Sequence, residues 1–315
     1  MKLSIIPLAA ALLVVAFTAM CMGDSGSPHA ANASSEKINS SLLKEIVLGS
    51  ESQLTTYLFT LEMDQKMVIS NKSDSNSTKQ SQEILTKSFG AGALNLTAKS
   101  MKMVMATLAN AAGQEENTSA TSMEMYLLND TMYMKIDRNW TKTQLLGLST
   151  KDIWKQQDKM GQQRESLNGS NITLLGMEKI DGTECYKVKV IPDMKSYTTI
   201  MKEQLGTTMI LPYLNISALF NNTSISYVSW ISKEEHLPLK TEITTNMTLR
   251  PEILGLPTKK AGNFEMHIET SYAMQFSGFD RSVKIALPED ARKAVTLQAF
   301  VSGNSTKNTT IVVQP

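Results

Sequence analysis

The chain of 315 residues contains only two cysteines and three histidines. Two cysteines cannot build a disulfide scaffold. His29, His236 and His267 are far apart in sequence, and His267 alternates onto a polar face beside Glu265 and Glu269, so no donor set has metal-ligand spacing. Neither charge sign dominates: Lys plus Arg number 31 and Asp plus Glu 30, mixed along the chain without a basic block. That balance argues against nucleic acid as a partner. There is no Gly-rich phosphate loop, Gly-x-Ser-x-Gly elbow or Cys-x-x-Cys pair. Glu234 and Glu235 are adjacent and point apart in an extended turn, which makes them a poor acid/base pair. A catalytic cysteine would need a histidine and an orienting amide, and nothing identifies either for Cys185. The expectation is a non-enzyme, with no catalytic residue, metal or cofactor.

Asn-x-Ser/Thr triplets, by contrast, are abundant. Of eighteen asparagines, sixteen begin one, whereas the Ser and Thr content would give roughly four by chance. Such a triplet accepts sugar only outside the cytoplasm and only where the sugar stays in water. Candidate acceptors are Asn71, Asn76, Asn117, Asn129, Asn139, Asn168, Asn215, Asn221, Asn246, Asn304 and Asn308. The N-terminus agrees with an extracytoplasmic chain. Lys2 precedes an apolar stretch from Ile5 to Phe17, the pattern of a signal peptide over residues 1–20. Extension of that stretch through Met22 would reach the length at which a spanning helix becomes possible, so cleavage and anchorage both stay open. Cys21 follows Thr-Ala-Met and precedes a small, polar tether (21–35), which marks it as a candidate lipid anchor on the outer face of the membrane. Lipidation of Cys21 would leave Cys185 a free thiol; otherwise the two cysteines are available to each other.

The stretch "MEMYLLNDTMYMKID" carries the strongest local pattern. A two-residue turn at Asn129 and Asp130 brings Met123, Met125 and Leu127 opposite Ile136, Met134 and Met132 on an oily face. The other face pairs Glu124 with Lys135 and Tyr126 with Tyr133, and reads as wet. Period two also governs Tyr57, Phe59, Leu61, Met63 and Met67, then residues 84–96, then Met101, Met103 and Met105. Asp181-Gly182 joins residues 172–180 to Cys185–Val190, with Cys185 on the polar face beside Lys187 and Lys189. Further strands are expected over 225–232, 239–249 and 264–276. Helical spacing appears over 36–53 and 151–167, and Asp193 heads a short helix to Leu205. The segment 207–222 is oily and yet rich in acceptors, so Leu211, Tyr213, Leu214 and Phe220 are expected at a cavity mouth.

The pieces "YLLNDTMYMKIDRNWTK", "GTECYKVKV", "YVSWISKEEHLPLKTEI" and "FSGFDRSVKIALPEDA", with Trp230-x-x-Lys233 followed by Leu237-Pro238-Leu239, resemble the LolA-like superfamily, especially the LppX/LprG lipoprotein group. The heavy triplet content looks archaeal. The resemblance covers residues 36–294, leaving 295–315 as a polar tail. It implies an α+β fold: a curved antiparallel sheet, an open half-barrel, wrapped around helices and an apolar cavity. Its members carry lipoproteins or lipidated glycoconjugates across the envelope, and some sense envelope state. The cavity candidates are then Met63, Met101, Met103, Met105, Met123, Met125, Leu127, Met132, Met134 and Ile136, because methionine is flexible and polarizable and suits irregular apolar ligands. The expected partners are a lipid or lipidated ligand, the membrane through the N-terminal anchor, and for a sensor a membrane protein. The rival readings are a structural or adhesive surface glycoprotein with a filled core and an envelope-stress sensor that acts through a membrane protein.

Overall fold

The computed structural model describes Glu45 and residues 54–71, 81–111, 118–136, 138–145, 149–158, 170–192, 216–254 and 264–296. Nearly all of these belong to one sheet. Its strands are β1 (Thr56–Asn71), β2 (Ser81–Asn95), β3 (Ser100–Ala111), β4 (Ser119–Leu128), β5 (Thr131–Ile136), β6 (Asn139–Gln144), β7 (Asn171–Ile180), β8 (Thr183–Ile191), β9 (Thr223–Ser232), β10 (Pro238–Leu249), β11 (Phe264–Ser277) and β12 (Val295–Thr296). They lie in the order β12-β6-β5-β4-β3-β2-β1-β11-β10-β9-β8-β7, so the sheet is open, with β12 and β7 at its edges. Every pairing is antiparallel except β12 with β6. The residues β12 uses are the first two of the expected polar tail.

The centre of the sheet is set by β1, which pairs with β11 from Leu58↔Ser277 to Asn71↔Phe264 and with β2 from Thr56↔Asn95 to Ser70↔Ser81. Alternation along it is strict. Tyr57, Phe59, Leu61, Met63 and Met67 are buried on one face, here the inner face, while Thr60, Glu62, Asp64 and Lys66 are exposed on the other. Each large apolar side chain so buried contributes about 1.5 to 3 kcal/mol. The expected hairpin is β4–β5: Asn129 takes positive φ (55°), and all six cross-strand pairs from Leu128↔Thr131 to Met123↔Ile136 form as the alternation required. Asn139, expected just past this hairpin, begins β6.

Among the described residues there are few helices: α1 (Thr150–Gln157), α2 (Ile216–Asn221) and a 3-10 turn at Asp290–Lys293. The helix expected over 151–167 is described only as far as Gln157, and those over 36–53 and 193–205 fall outside the described residues, Glu45 excepted. The described part is therefore a mostly antiparallel sheet, and its helices do not form a layer that the sheet wraps. None of the described helices is long and apolar enough to cross a membrane.

Two expectations about the outer face need correction. The face of β4–β5 read as wet is covered: Tyr126 and Trp140 are buried with Ala291 and Ala294, against Tyr133, Ile285 and Leu287. The C-terminal segment lies over the hairpin there. Asp290 anchors it by accepting the Trp140 indole N–H at 2.8 Å and the Lys135 ammonium at 3.3 Å. Similarly, Cys185 is fully buried with Trp230 and Leu239, beside Ile180, Val228 and Phe279. Lys187 and Lys240 lie over the Trp230 ring, 4.9 and 4.7 Å from its centroid. A lysine counts as polar in an alternation pattern, yet its stem and charge can cover an aromatic ring.

Gly92 marks a close approach on the inner face. A Cβ built there would overlap the Phe59 ring and lie 2.7 Å from the carbonyl oxygen of Lys102 on β3. Gly92→Ala should destabilise the fold by about 1 to 3 kcal/mol in denaturant melts, whereas Ala91→Ser, exposed on the opposite face, should change it by less than about 0.5 kcal/mol. Equal effects would mean that β1 and β2 do not pack as described. A second expectation concerns acid. The Trp140 N–H, and after it Lys135, hold the Asp290 carboxyl below the ordinary aspartate range. That anchoring is complete above the ordinary range and is lost as pH falls through the lower folded value. Acidification should therefore release the segment and alter Trp140 fluorescence, and Asp290→Ala should abolish that acid transition. An unchanged transition in the variant would rule the anchor out.

Candidate functional site

The inner face is the candidate site, and its register determines what it can bind. From β6 across to β9, no Asp, Glu, Lys, Arg or His occupies an inner-facing position; Lys179 and Glu184, at the foot of the β7–β8 hairpin, are the first charged residues of that register. Ion pairs lie on the other face. Lys66–Glu83, Lys87–Asp64, Lys102–Glu124, Lys187–Glu178 and Lys240–Glu242 all join outer-facing positions at 2.6 to 3.4 Å. Each is solvent-facing and contributes little to stability.

Of the ten cavity candidates, Met63, Met101, Met103, Met105 and Leu127 are buried in one cluster with Tyr57, Phe59, Leu61, Tyr227, Tyr272, Met274 and Phe276. Met123, Met125 and Met132 are half-buried and pack against it. Met134 is half-buried opposite Met125, and Ile136 is 47% exposed at the hairpin's far end. The methionines thus pass from fully packed on β1 and β3 to half-covered on β4 and β5. Helix α1 caps one end of this surface. Ile153 and Trp154 enter the main cluster, and the Trp154 indole N–H donates to the Asn129 carbonyl at 2.8 Å, tying the helix to the β4–β5 turn.

Alternation also places a neutral polar row across the inner face, which the sequence reading passed over. Thr245, Thr270, Gln65 and Thr86 are successive cross-strand neighbours, and the last three are buried. Gln65 Nε2 donates to Thr270 Oγ1 at 3.2 Å. Two hydroxyl pairs lie on one side of the row, Ser88 with Thr107 at 2.9 Å in the row of Met63 and Ser229 with Thr241 at 3.3 Å in that of Leu61. On that same side lies the methionine and aromatic cluster, and on the other a second cluster of Met67, Leu219, Ile225, Leu249, Ile253, Leu254, Met266 and Ile268. The signal was present in β1, where Gln65 stands between Met63 and Met67 on the apolar period.

Among the described residues, no group of three or more His, Cys, Asp or Glu has metal-binding geometry. His267 lies on the outer face, with Nε2 3.0 Å from Glu265 and Nδ1 3.1 Å from Thr248. The expected mouth residues Leu211, Tyr213 and Leu214 fall outside the described residues, and Phe220 lies in α2 with its side chain outside them. Cys21, the signal and the tether also fall outside, as do Asn76, Asn117, Asn168, Asn215, Asn304 and Asn308.

Burial pushes the Cys185 thiol up from its ordinary value, and its Sγ donates to the Thr183 carbonyl at 3.4 Å. A thiol so placed is a poor nucleophile. A maleimide should label Cys185 only after unfolding; rapid labelling of the native protein would contradict the burial.

No family model and no curated protein matches the chain. Among solved structures it is similar to the lipoprotein LppX of Mycobacterium tuberculosis, at 14% identity over 79% of this chain and 100% of that one, with a TM-score of 0.36. It is similar also to LprF of Mycobacterium bovis, at 12% identity over 78% of this chain and 96% of that one, with a TM-score of 0.38. A LolA superfamily protein of Nitrosomonas europaea shares 10% identity over 80% of this chain and 96% of its own, with a TM-score of 0.20.

Proposed function

We propose that the protein holds a lipid or another apolar ligand against the inner face of its sheet, on the extracytoplasmic side of a membrane, and that it acts by binding without chemistry. The observation that carries this reading is the uncharged inner face. Nine adjacent strands, β6 to β9 in the order of the sheet, place only apolar or neutral polar side chains there. A soluble ligand with a charged group would lose its hydration on such a surface with no counter-charge to replace it. Hydrocarbon would not. The half-buried methionines Met123, Met125, Met132 and Met134 are the proposed contact surface, since their side chains rearrange at low cost. Leu211, Tyr213, Leu214 and Phe220 are proposed for its mouth and Cys21 for the lipid anchor. The triplet density and the N-terminal apolar stretch support the location.

One observation favours the structural rival: Met63, Met101, Met103 and Met105 are already buried by the protein itself. Added volume separates the two readings. Met125→Trp and Met134→Trp enlarge facing residues of the proposed contact surface. If ligand space lies over them, both variants should keep their stability within about 0.5 kcal/mol and take up less of a fluorescent acyl-chain probe than the unmodified protein. Val104→Trp, exposed on the outer face, should change neither property. If both methionine variants lose about 1 to 3 kcal/mol and the unmodified protein takes up no probe, the face is filled core and the carrier reading fails.

A further inference from the structure

Seven of the sixteen Asn-x-Ser/Thr acceptors have described side chains, and the fold treats them unequally. Asn129, Asn139, Asn171, Asn221 and Asn246 are exposed, and among the described residues none of their side chains is held by a hydrogen bond. Asn95 is different: its Oδ1 accepts the Ala98 backbone N–H at 2.7 Å, and its Nδ2 donates to the Val283 carbonyl at 3.1 Å. It is half-buried, and it ties the β2–β3 turn to the segment that follows β11. Asn222 Nδ2 donates to the Ala218 carbonyl at 2.8 Å and so closes the last turn of α2, while Asn221 beside it is exposed.

We propose that N-linked sugar is carried by Asn129, Asn139, Asn171, Asn221 and Asn246 and is absent from Asn95 and Asn222, a selection that rests on the extracytoplasmic location proposed above. Transfer joins Nδ2 to the anomeric carbon of a saccharide held on a lipid phosphate. The carbon–oxygen bond to phosphate breaks, the phosphate leaves with the electron pair, and Nδ2 gives up one proton, so no oxidant or reductant takes part. At Asn95 the amide is held on both sides, Oδ1 by the Ala98 N–H and one Nδ2 hydrogen by the Val283 carbonyl, so in the folded protein this half-buried side chain cannot turn out to take a saccharide without loss of the tie. At Asn222 the amide is held against the end of α2 by its bond to Ala218, and two sugars on adjacent asparagines would crowd each other. A sugar added to either residue before folding would oppose folding by the same contacts.

The register places Asn139 in the cross-strand row of Leu61, Asn171 one residue past the row of Met63, Asn246 in the row of Lys66 and Asn221 just beyond the row of Met67. One end of the sheet holds the tight turns at Asn129-Asp130, Asp181-Gly182 and His236, where Asn129 is the one exposed acceptor among the described residues. The sugar is therefore spread along the sheet, with Asn171 and Asn246 in the outer register and Asn139, opposite Ile136, at the margin of the inner one.

Glycopeptide mass spectrometry of protein purified from its own cells tests this. The expected result is sugar on the peptides of Asn129, Asn139, Asn171 and Asn246 and on Asn221 of the adjacent pair, with Asn95 and Asn222 bare. Sugar on Asn95 or Asn222 at occupancy comparable to the exposed sites would overturn the selection and leave the location standing. No sugar on any peptide would overturn the location on which it rests. Two variants add a readout of role. Asn139→Gln should remove one glycan's mass and leave the melting temperature unchanged, whereas Asn95→Asp, which keeps the acceptor but loses the donor to Val283, should lower the melting temperature without changing glycan mass. The reverse pattern would show that Asn95 is an acceptor and not a tie.

Discussion

The strict alternation of β1, held in register on both sides, is the constraint on which the rest of the molecule depends. A slip of one residue against β11 or β2 would turn Glu62, Asp64 and Lys66 inward among Phe59, Tyr272 and Phe276. Burying an unpaired charge costs several kcal/mol, and three at once would exceed the stability of most domains. Register is therefore fixed at the centre and passed outward strand by strand, because each neighbour has an apolar period to match. Charged side chains end on the outer face, where they pair across strands. The inner face becomes a continuous uncharged surface.

That surface is graded. At β1 and β11 it is aromatic and closely packed, with Tyr57 and Phe276 edge to face at a centroid distance of 5.7 Å. Toward β4 and β5 it becomes methionine that the protein covers only in part. A stiff centre with an adaptable margin suits a surface that accepts apolar partners of irregular shape. The row through Gln65, Thr86 and Thr270 adds hydrogen-bonding groups to the face without adding charge.

Much of this was legible in the sequence because period two is a strong signal when both faces are pure. The β4–β5 register followed residue by residue from the methionine alternation and the Tyr126–Tyr133 pair. The strands on either side of Asp181-Gly182 followed from their turn. What escaped were contacts between segments distant in sequence. Tyr126 and Cys185 stand at positions that alternation assigns to water, and each is covered by neighbours that a local pattern cannot place: Ala291 and Ala294 in one case, Trp230 and Leu239 in the other. β12 is only two residues long and pairs in parallel with β6, so it had no period to read. Gln65 stands at a polar gap in the apolar period of β1, and only its buried bond to Thr270 shows that it is part of the face. Among the asparagines, the triplet alone could not separate Asn95, whose amide is bonded at both ends, from Asn139, which is exposed.

The central claim is that the inner face carries an apolar ligand. Native mass spectrometry of the protein purified from its own membranes in mild detergent tests it most directly, with lipid extraction of the same sample. The account predicts a bound species, beyond polypeptide, anchor and sugar, that is lost on extraction and recovered in the organic phase as a molecule dominated by hydrocarbon. A mass fully explained by polypeptide, anchor and sugar, with an empty organic phase, would contradict it and leave a sheet whose inner face is only its own core.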